Sequence, residues 1–306
     1  MSHDVAVITI NYNSSQFTID CVTNLLAKSS PRINLHVIIV DNNSTLEEYA
    51  KLDALRNLEN VSIVRSKINY GYAAGNMYGL QFVSAKYYFF LNNDCLLQND
   101  CVSILFDFCE QNPNTGLCSP QLYTDKHQPV PCFDYFPDLL SRFLGTGIFR
   151  ITRGKDFHPR KKIPPTPIKV EVLSGSQLFV RAEAFNKAGG FDTTFFLYCE
   201  EEDIALRLHK LGYSTYLIPE AHNWHFGGGS TEKSLAIQKE FLISYLYFYR
   251  KHYGFLKTQF LKLFLLLRYI KKSIKARSNI HIIFLILSGA HLKNSLRHIQ
   301  SIKEIE

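Results

Sequence analysis

Residues 5–11 (VAVITIN) form an unbroken apolar run rich in β-branched side chains, without polar alternation. Such a run predicts a strand buried on both faces. Helical spacing follows at Phe17, Cys21 and Leu25, with Ser14 or Ser15 available as the N-cap. A second buried strand is expected at 36–40, ending on Asp-Asn-Asn-Ser, with a helix from Ser44 or Thr45 to Leu55 and a third strand at 61–64. NYGYAAGNMYGL, from Asn69, predicts a glycine-rich turn entering a helix. A strand at 87–91, a helix over about 97–110 and a strand at 116–123 complete the first half.

Strands that are apolar on both faces and alternate with helices predict a mostly parallel sheet covered on two sides. Right-handed crossovers place the strand C-termini on one edge, where open α/β sheets bind ligands. Asn11, Asp41 and Asp94 each end an apolar strand and are expected to cluster there.

The pattern breaks over 124–168, where seven prolines and the Arg160-Lys161-Lys162 cluster predict a long surface excursion. It resumes as a strand near 170–173, an amphipathic helix over 200–211 and a strand at 214–218. From about 234 the chain is helical in pattern. Its apolar runs, LKLFLLLRYI and IHIIFLIL, fall short of the roughly 20 residues that cross a bilayer. The expected organisation is therefore an α/β unit over 1–233 and a helical extension over 234–306.

Charge sharpens that division. The net charge is +7, yet residues 241–303 hold twelve Lys or Arg and no Asp or Glu, so the remaining chain is slightly acidic. Basic, amphipathic helices fit an anionic membrane surface; a helical layer on the sheet or on a second subunit, giving a homo-oligomer, is the other reading. Abundant Leu and Ile beside the aromatics speak against nucleic acid. The seven cysteines are scattered and never spaced C-x-x-C, which argues against a disulfide framework or zinc site and suits a reducing cytoplasm. The N-terminus enters a strand directly, so no secretory signal is expected.

Four stretches carry candidate chemistry. Asp41 is placed to accept the N3–H of a pyrimidine, although Asp-Asn-Asn-Ser is also good turn and capping chemistry. Gly71 and Gly75 lie where backbone comes close to a partner at a helix N-terminus, which suits phosphate or tight packing. Asn92-Asn93-Asp94 ends the apolar strand on one carboxylate and two amides, enough for a divalent cation whose shell is completed by diphosphate and water. Glu200–Asp203 open a helix behind Phe195, Phe196 and Tyr198. A helix dipole favours acids there, and an aromatic wall raises a carboxylate's pKa toward that of a general base. His222 and His225 flank the only Trp and precede Gly-Gly-Gly-Ser, the pattern of a mobile lid reaching a phosphate or metal.

Taken in order, VAVITINYNS, IIVDNNS, NYGYAAGN, FLNNDC, LSGSQLFVRAEAFNKAGGFDTTFFLYCEEEDIALRLHKLGY and HFGGGS resemble the bacterial family-2 glycosyltransferases of the GT-A fold, in their rhamnosyltransferase-like branch. The resemblance spans about 5–231. It implies inverting transfer of a sugar, best matched by rhamnose from dTDP-rhamnose, from a nucleotide-diphosphate donor to a saccharide hydroxyl in cell-surface polysaccharide (O-antigen or capsule) synthesis. Galactose or glucose from UDP is the alternative donor class. By position, Asp41 would hold the base with Asn11 nearby, and Asn69, Gly71 and Asn92 would line the nucleotide site. Asp94 would bind Mg²⁺ or Mn²⁺ with His225, and Glu201 would be the general base beside Glu200 and Asp203. Arg207 would pair with Asp203. Glu201 stands where the family commonly has Asp, and Met77 where it often has an amide. The implied acceptor is lipid-linked, which would set the enzyme on the cytoplasmic face of the membrane. A nucleotidyltransferase would instead carry a basic, glycine-rich first loop, which ITINYNSS lacks, and a non-catalytic membrane-docking module would not need Asp94, Glu201 and His225 together.

Overall fold

The computed structural model describes residues 3–137, 139, 141, 145–226 and 234–300. In chain order the elements are β1 (His3–Asn11), α1 (Ser15–Lys28), β2 (Leu35–Asp41), α2 (Leu46–Lys51), β3 (Val61–Arg65), α3 (Gly71–Gly79), β4 (Ala85–Leu91), β5 (Cys95–Leu97), α4 (Cys101–Gln111) and β6 (Thr115–Tyr123). Then come β7 (Pro129–Val130), β8 (Phe133–Asp134), α5 (Phe149–Thr152), β9 (Ile168–Val170), β10 (Val172–Leu173), β11 (Gln177–Arg181), α6 (Ala182–Lys187), α7 (Glu200–Lys210), β12 (Ser214–His225), α8 (Leu235–Ser273) and α9 (Ile280–Leu287).

The main sheet runs β3-β2-β1-β4-β11-β6-β12-β5, with β7 beside β6 and β9 beside β12. The expected α/β fold with helices on both faces is present, but the sheet is mixed rather than mostly parallel. β1 to β4 pair in parallel, and β11 inserts antiparallel between β4 and β6. Apolarity on both faces reports burial, not strand direction, so the hydrophobic pattern could not show this reversal. The helix expected over about 97–110 begins later, at Cys101. Asp100 caps it by accepting the Ser103 N–H at 3.1 Å, and Cys95–Leu97 are spent on β5.

Period-two alternation divides the core. Val5, Val7, Val37, Ile39, Tyr87 and Phe89 face α1 and α4, where Cys21, Val22, Leu25, Val102 and Leu105 cover them. Ala6, Ile8, Ile38, Val40, Tyr88 and Phe90 face the other way, toward Phe185, Phe191, Ile204 and Leu208. On that side the first half of α8 adds Leu242, Ile243, Tyr245, Leu246, Phe248 and Tyr249.

Helix α8 is interrupted at Gly254, whose φ of +81° is left-handed. Before the break it is tied to the sheet layer. Ser244 Oγ donates to the Leu197 carbonyl at 2.7 Å, Lys251 Nζ to Asp192 Oδ2 at 2.8 Å, and His252 Nε2 lies 2.7 Å from Asp203 Oδ1. After the break, Leu261 and Leu265 pack with Ile282, Leu285 and Ile286 of α9. Among the described residues no helix is long and apolar enough to cross a membrane. All seven cysteines are buried.

The Asp192 contact sets a pH signature. Burial pushes its carboxyl up, but Lys251, Thr194 and Tyr247 outweigh burial and bring it down from 3.8 to about 2. A depressed folded pKa gives stability that is complete above the unfolded value and lost as pH falls through the folded one. Urea unfolding should therefore show wild type more stable than Asp192→Asn at pH 6, with the gap closing between about pH 4 and pH 2. A gap that stays constant across that range would exclude this role.

Candidate active site

Parallel register builds the ligand edge. Asn11 is the partner of Asp41, and Asp41 that of Arg65, so three strand ends bring three polar side chains side by side. Asp41 is fully buried. Its Oδ1 accepts from Asn11 Nδ2 at 2.9 Å, and its Oδ2 accepts from the Ser44 N–H at 3.2 Å and faces Arg65 Nε at 3.3 Å. Asn11 also lies within 3.1 Å of Ser15 and Ser44 hydroxyls and accepts from Thr18 Oγ1 at 2.8 Å. With both oxygens engaged within the protein, Asp41 braces the edge. The next residues, Asn42 and Asn43, line the cavity described below.

Asn42 organises the second turn. Its Nδ2 donates to Asn69 Oδ1 at 2.9 Å and to the Gly71 carbonyl at 3.0 Å, and its Oδ1 accepts the Tyr70 N–H at 3.0 Å. Gly71 has a φ of +74°, and a Cβ there would stand 2.1 Å from the Phe196 carbonyl oxygen. That same oxygen accepts the Tyr72 N–H at 2.8 Å. The glycine motif is thus a docking point for the chain that leads into α7. Met77 packs its thioether against Gly190, where a Cβ would meet it at under 3 Å.

Two successive left-handed residues, Tyr198 (φ 73°) and Cys199 (φ 69°), turn the chain into α7. Such torsions cost non-glycine residues roughly 1–2 kcal/mol each, so they persist only where surroundings hold them. The four acids that follow divide. Glu200 is buried, and Glu200, Glu201 and Glu202 each have an Oε2 atom that is shielded from solvent and lacks a hydrogen-bond partner among the described residues. Burial, then mutual charge, pushes Glu200 and Glu202 well up, and burial raises Glu201. The Glu201 carboxyl rests against Gly175, 3.3 Å from where a Cβ would be. Asp203 differs. It is fully buried and held by Arg207 Nη2 at 2.6 Å, His252 at 2.7 Å and Lys251. Burial raises its pKa, but those cations outweigh burial and lower it. A carboxylate with every lone pair engaged cannot accept an acceptor's proton, so Asp203 anchors α8 and is set apart from the catalytic acids expected here.

The loop 174–177 joins the acid helix to the strand tip. Tyr72 Oη donates to the Gly175 carbonyl at 2.6 Å, and the Asn92 N–H to the Ser176 carbonyl at 2.8 Å. Asn93 turns inward, donating to Ser14 Oγ at 2.8 Å and Thr18 Oγ1 at 2.9 Å, so the Ser14 hydroxyl serves this bond and makes no cap bond to α1. Neither Tyr72 nor the 174–177 loop was given a role in the sequence, although both fall within the quoted stretches NYGYAAGN and LSGSQLFV.

Asp94 and His225 meet because β5 pairs antiparallel with the end of β12, setting Cys95 opposite His225. The Phe226 N–H donates to the Asp94 carbonyl at 3.1 Å, and His225 Nε2 stands 3.3 Å from Asp94 Oδ1. That buried oxygen accepts no hydrogen bond among the described residues. Asp94, Cys95 and His225 offer ligand atoms within 4.8 Å of one another. An unsatisfied carboxylate oxygen beside an imidazole fits a divalent ion of the Mg²⁺ or Mn²⁺ type. Cys95 contributes less, because burial pushes its thiol well up and a protonated sulfur suits a hard cation poorly. The Gly-Gly-Gly-Ser lid expected after His225 lies outside the described residues.

Asn92 and Asn93, next to Asp94 in the chain, line a cavity of about 620 Å³ together with Tyr12, Asn42, Asn43, Asn69 and Phe196. Its size suits a nucleotide sugar.

Residues 6–130 match the model of Glycosyl transferase family 2. Over these residues the chain resembles that family. It is 25% identical over 239 residues to rhamnosyltransferase WbbL of Escherichia coli K12, covering 72% of this chain and 83% of that one. It is 29% identical over 144 residues to the N-acetylglucosaminyl-diphospho-decaprenol L-rhamnosyltransferase of Mycobacterium tuberculosis H37Rv, but spans only 45% of it. Among solved structures, the mannosyltransferase PcManGT of Pyrobaculum calidifontis, in complex with GDP-Man and Mn²⁺, superposes with a TM-score of 0.56 at 14% identity, over 96% of this chain and 87% of that one. GalNAc-T7 with UDP, GalNAc and Mn²⁺ gives 0.57 at 13% identity, over 73% and 43%. The chain therefore has the GT-A fold, and the family match with its rhamnosyltransferase relatives supports a nucleotide-sugar glycosyltransferase.

The Gly71–Phe196 approach is testable by stability. Gly71→Ala combines a left-handed torsion with a backbone clash and should cost at least about 2 kcal/mol in urea unfolding. Gly212→Ala, equally left-handed but with open space around it, should cost about 1 kcal/mol. Equal losses at the two sites would show that the approach to Phe196 carries no constraint.

Proposed function

We propose that this glycosyltransferase moves rhamnose from dTDP-rhamnose, with inversion, to a hydroxyl of a lipid-linked saccharide at the cytoplasmic face of a membrane, for cell-surface polysaccharide. The names of the bacterial relatives support the sugar and the acceptor class. The observation that carries the chemistry is the unsatisfied Asp94 oxygen 3.3 Å from His225, directly after Asn92 and Asn93, which line a cavity of nucleotide-sugar size.

Asp94 and His225 would hold the divalent ion, which when bound supplies positive charge for the departing diphosphate. Asn43, Asn69 and Tyr12 offer amides and a ring to the nucleoside, Asn42 holds the Asn69–Gly71 turn behind them, and Asn92 lines the cavity from the strand tip. Glu201 is the base we favour: its raised pKa suits a group that must take a proton near neutral pH. The acceptor oxygen forms its bond to the anomeric carbon as its proton passes to the Glu201 carboxylate. The bond from that carbon to the diphosphate breaks, and its electron pair leaves with the diphosphate oxygen. Buried Glu200, raised more strongly, would remain protonated beside it.

Nucleoside-diphosphate release across a panel of sugar nucleotides tests the donor, with dTDP-rhamnose expected to turn over fastest. Asp94→Ala and Glu201→Gln should each lower kcat by roughly a hundredfold or more. Because a base works only when deprotonated, the wild-type rate should fall as pH drops through a raised carboxyl pKa. Full turnover by Glu201→Gln would remove it from the role.

The membrane component rests on the second half of α8. Leu256, Phe260, Leu263, Leu267, Ile270 and Ile274 recur at spacings of three and four and are 50–83% exposed. Lys257, Lys262, Arg268, Lys271, Lys272 and Lys275 flank this stripe. An apolar stripe bordered by cations is complementary to an anionic bilayer surface. Leu263→Glu with Leu267→Glu should cut binding to phosphatidylglycerol-containing liposomes at least about tenfold. Retained binding, or a wild-type dimer that these changes split, would assign the stripe elsewhere.

A further inference from the structure

The last described residues return to the cavity from the far side of the fold. After α9, Ser295 Oγ donates to Glu240 Oε1 at 2.8 Å, and the Leu296 N–H donates to Glu240 Oε2 at 2.8 Å. Glu240 is a buried residue of the first half of α8, so it fixes the start of the short turn Leu296–Ile299. Arg297 Nη2 donates to the carbonyls of Thr193 and Phe195, on the chain that leads into α7. Finally Gln300 closes on Asn69 with two bonds: its Nε2 donates to the Asn69 carbonyl at 2.8 Å, and its Oε1 accepts the Asn69 N–H at 2.8 Å.

We infer that this C-terminal segment is a working part of the nucleotide pocket, in which Gln300 is a positioning residue for the Asn69–Gly71 turn and Ile299 covers the bound nucleoside. Three observations carry it. Leu296, Ile299 and Gln300 all line the 620 Å³ cavity, together with Asn42, Asn69 and Gly71. The peptide of Asn69 has its donor and its acceptor taken by one side-chain amide, a two-point clamp that fixes the peptide plane as well as its distance. Ile299 lines the cavity yet is 74% exposed, an apolar surface that a heterocycle entering between it and Tyr12 would cover. Asn42 holds the turn from the sheet side, and Gln300 holds it from the solvent side. Loss of Gln300 therefore leaves the turn folded but free to shift by the small distances that binding reads.

The inference rests on this cavity being the donor pocket. The experiment uses the full chain with Gln300→Ala, Gln300→Met and Ile299→Ala. Calorimetry with dTDP and UDP gives Kd, and steady-state release assays give KM and kcat for the sugar nucleotide of the preferred base. Loss of the clamp should raise Kd and donor KM roughly three- to thirtyfold, as expected for two hydrogen bonds, while kcat stays within about twofold. Gln300→Met keeps the side-chain length and should still show the loss; Ile299→Ala should raise Kd several-fold. Unchanged Kd in all three overturns the inference, and so does tighter binding, which would mean that the segment competes with the nucleotide. A fall in kcat at constant KM also overturns it. Wild-type protein that binds neither nucleotide would reject the donor-pocket reading itself, and this inference with it.

Discussion

A buried amide must find its partners inside the protein, and Asn11 finds four at the end of β1: Asp41, Ser44, Ser15 and Thr18. They lie on three stretches of chain, so satisfying one side chain fixes the first helix, the second strand and the loop after it together. An unpaired group there would cost about 1–3 kcal/mol, which makes the arrangement close to all-or-none. Everything at the ligand edge is referred to this node. Thr18 passes the constraint to Asn93, and Asn93 to the strand tip that carries Asp94.

A second chain of contacts links parts of the site that are remote in sequence. The Phe196 carbonyl reaches Tyr72, Tyr72 reaches Gly175, and the neighbouring Ser176 carbonyl receives the Asn92 N–H. The physical result is general: a raised carboxyl on α7 and an unsatisfied carboxylate at the strand tip share one short loop as their common support. Their separation is then set by backbone, which tolerates less variation than a path through long side chains.

Much of the fold was legible because burial on both faces leaves a plain mark, as in residues 5–11 and 87–91. The antiparallel β11 was not, since Gln177–Arg181 looks the same in either direction. Asp94, His225 and Glu201 stood out by residue type and by their place in a familiar order of motifs. What brings Asp94 to His225 is β5, three residues long, which periodicity cannot resolve from the start of a helix. Asp41 and Asp203 were legible as acids, but not as acids already paired: Arg65, Lys251 and His252 arrive from elements 24 to 49 residues away. Gln300 lies 231 residues from Asn69, beyond the reach of any local pattern.

The break at Gly254 divides α8 into two halves under different obligations. Before it, each turn is answerable to the sheet, through Leu197, Asp192 and Asp203. After it, the helix answers chiefly to α9 and to whatever meets its open stripe. A single glycine therefore marks a mechanical seam between a helix half held by the sheet layer and one whose apolar stripe stays exposed.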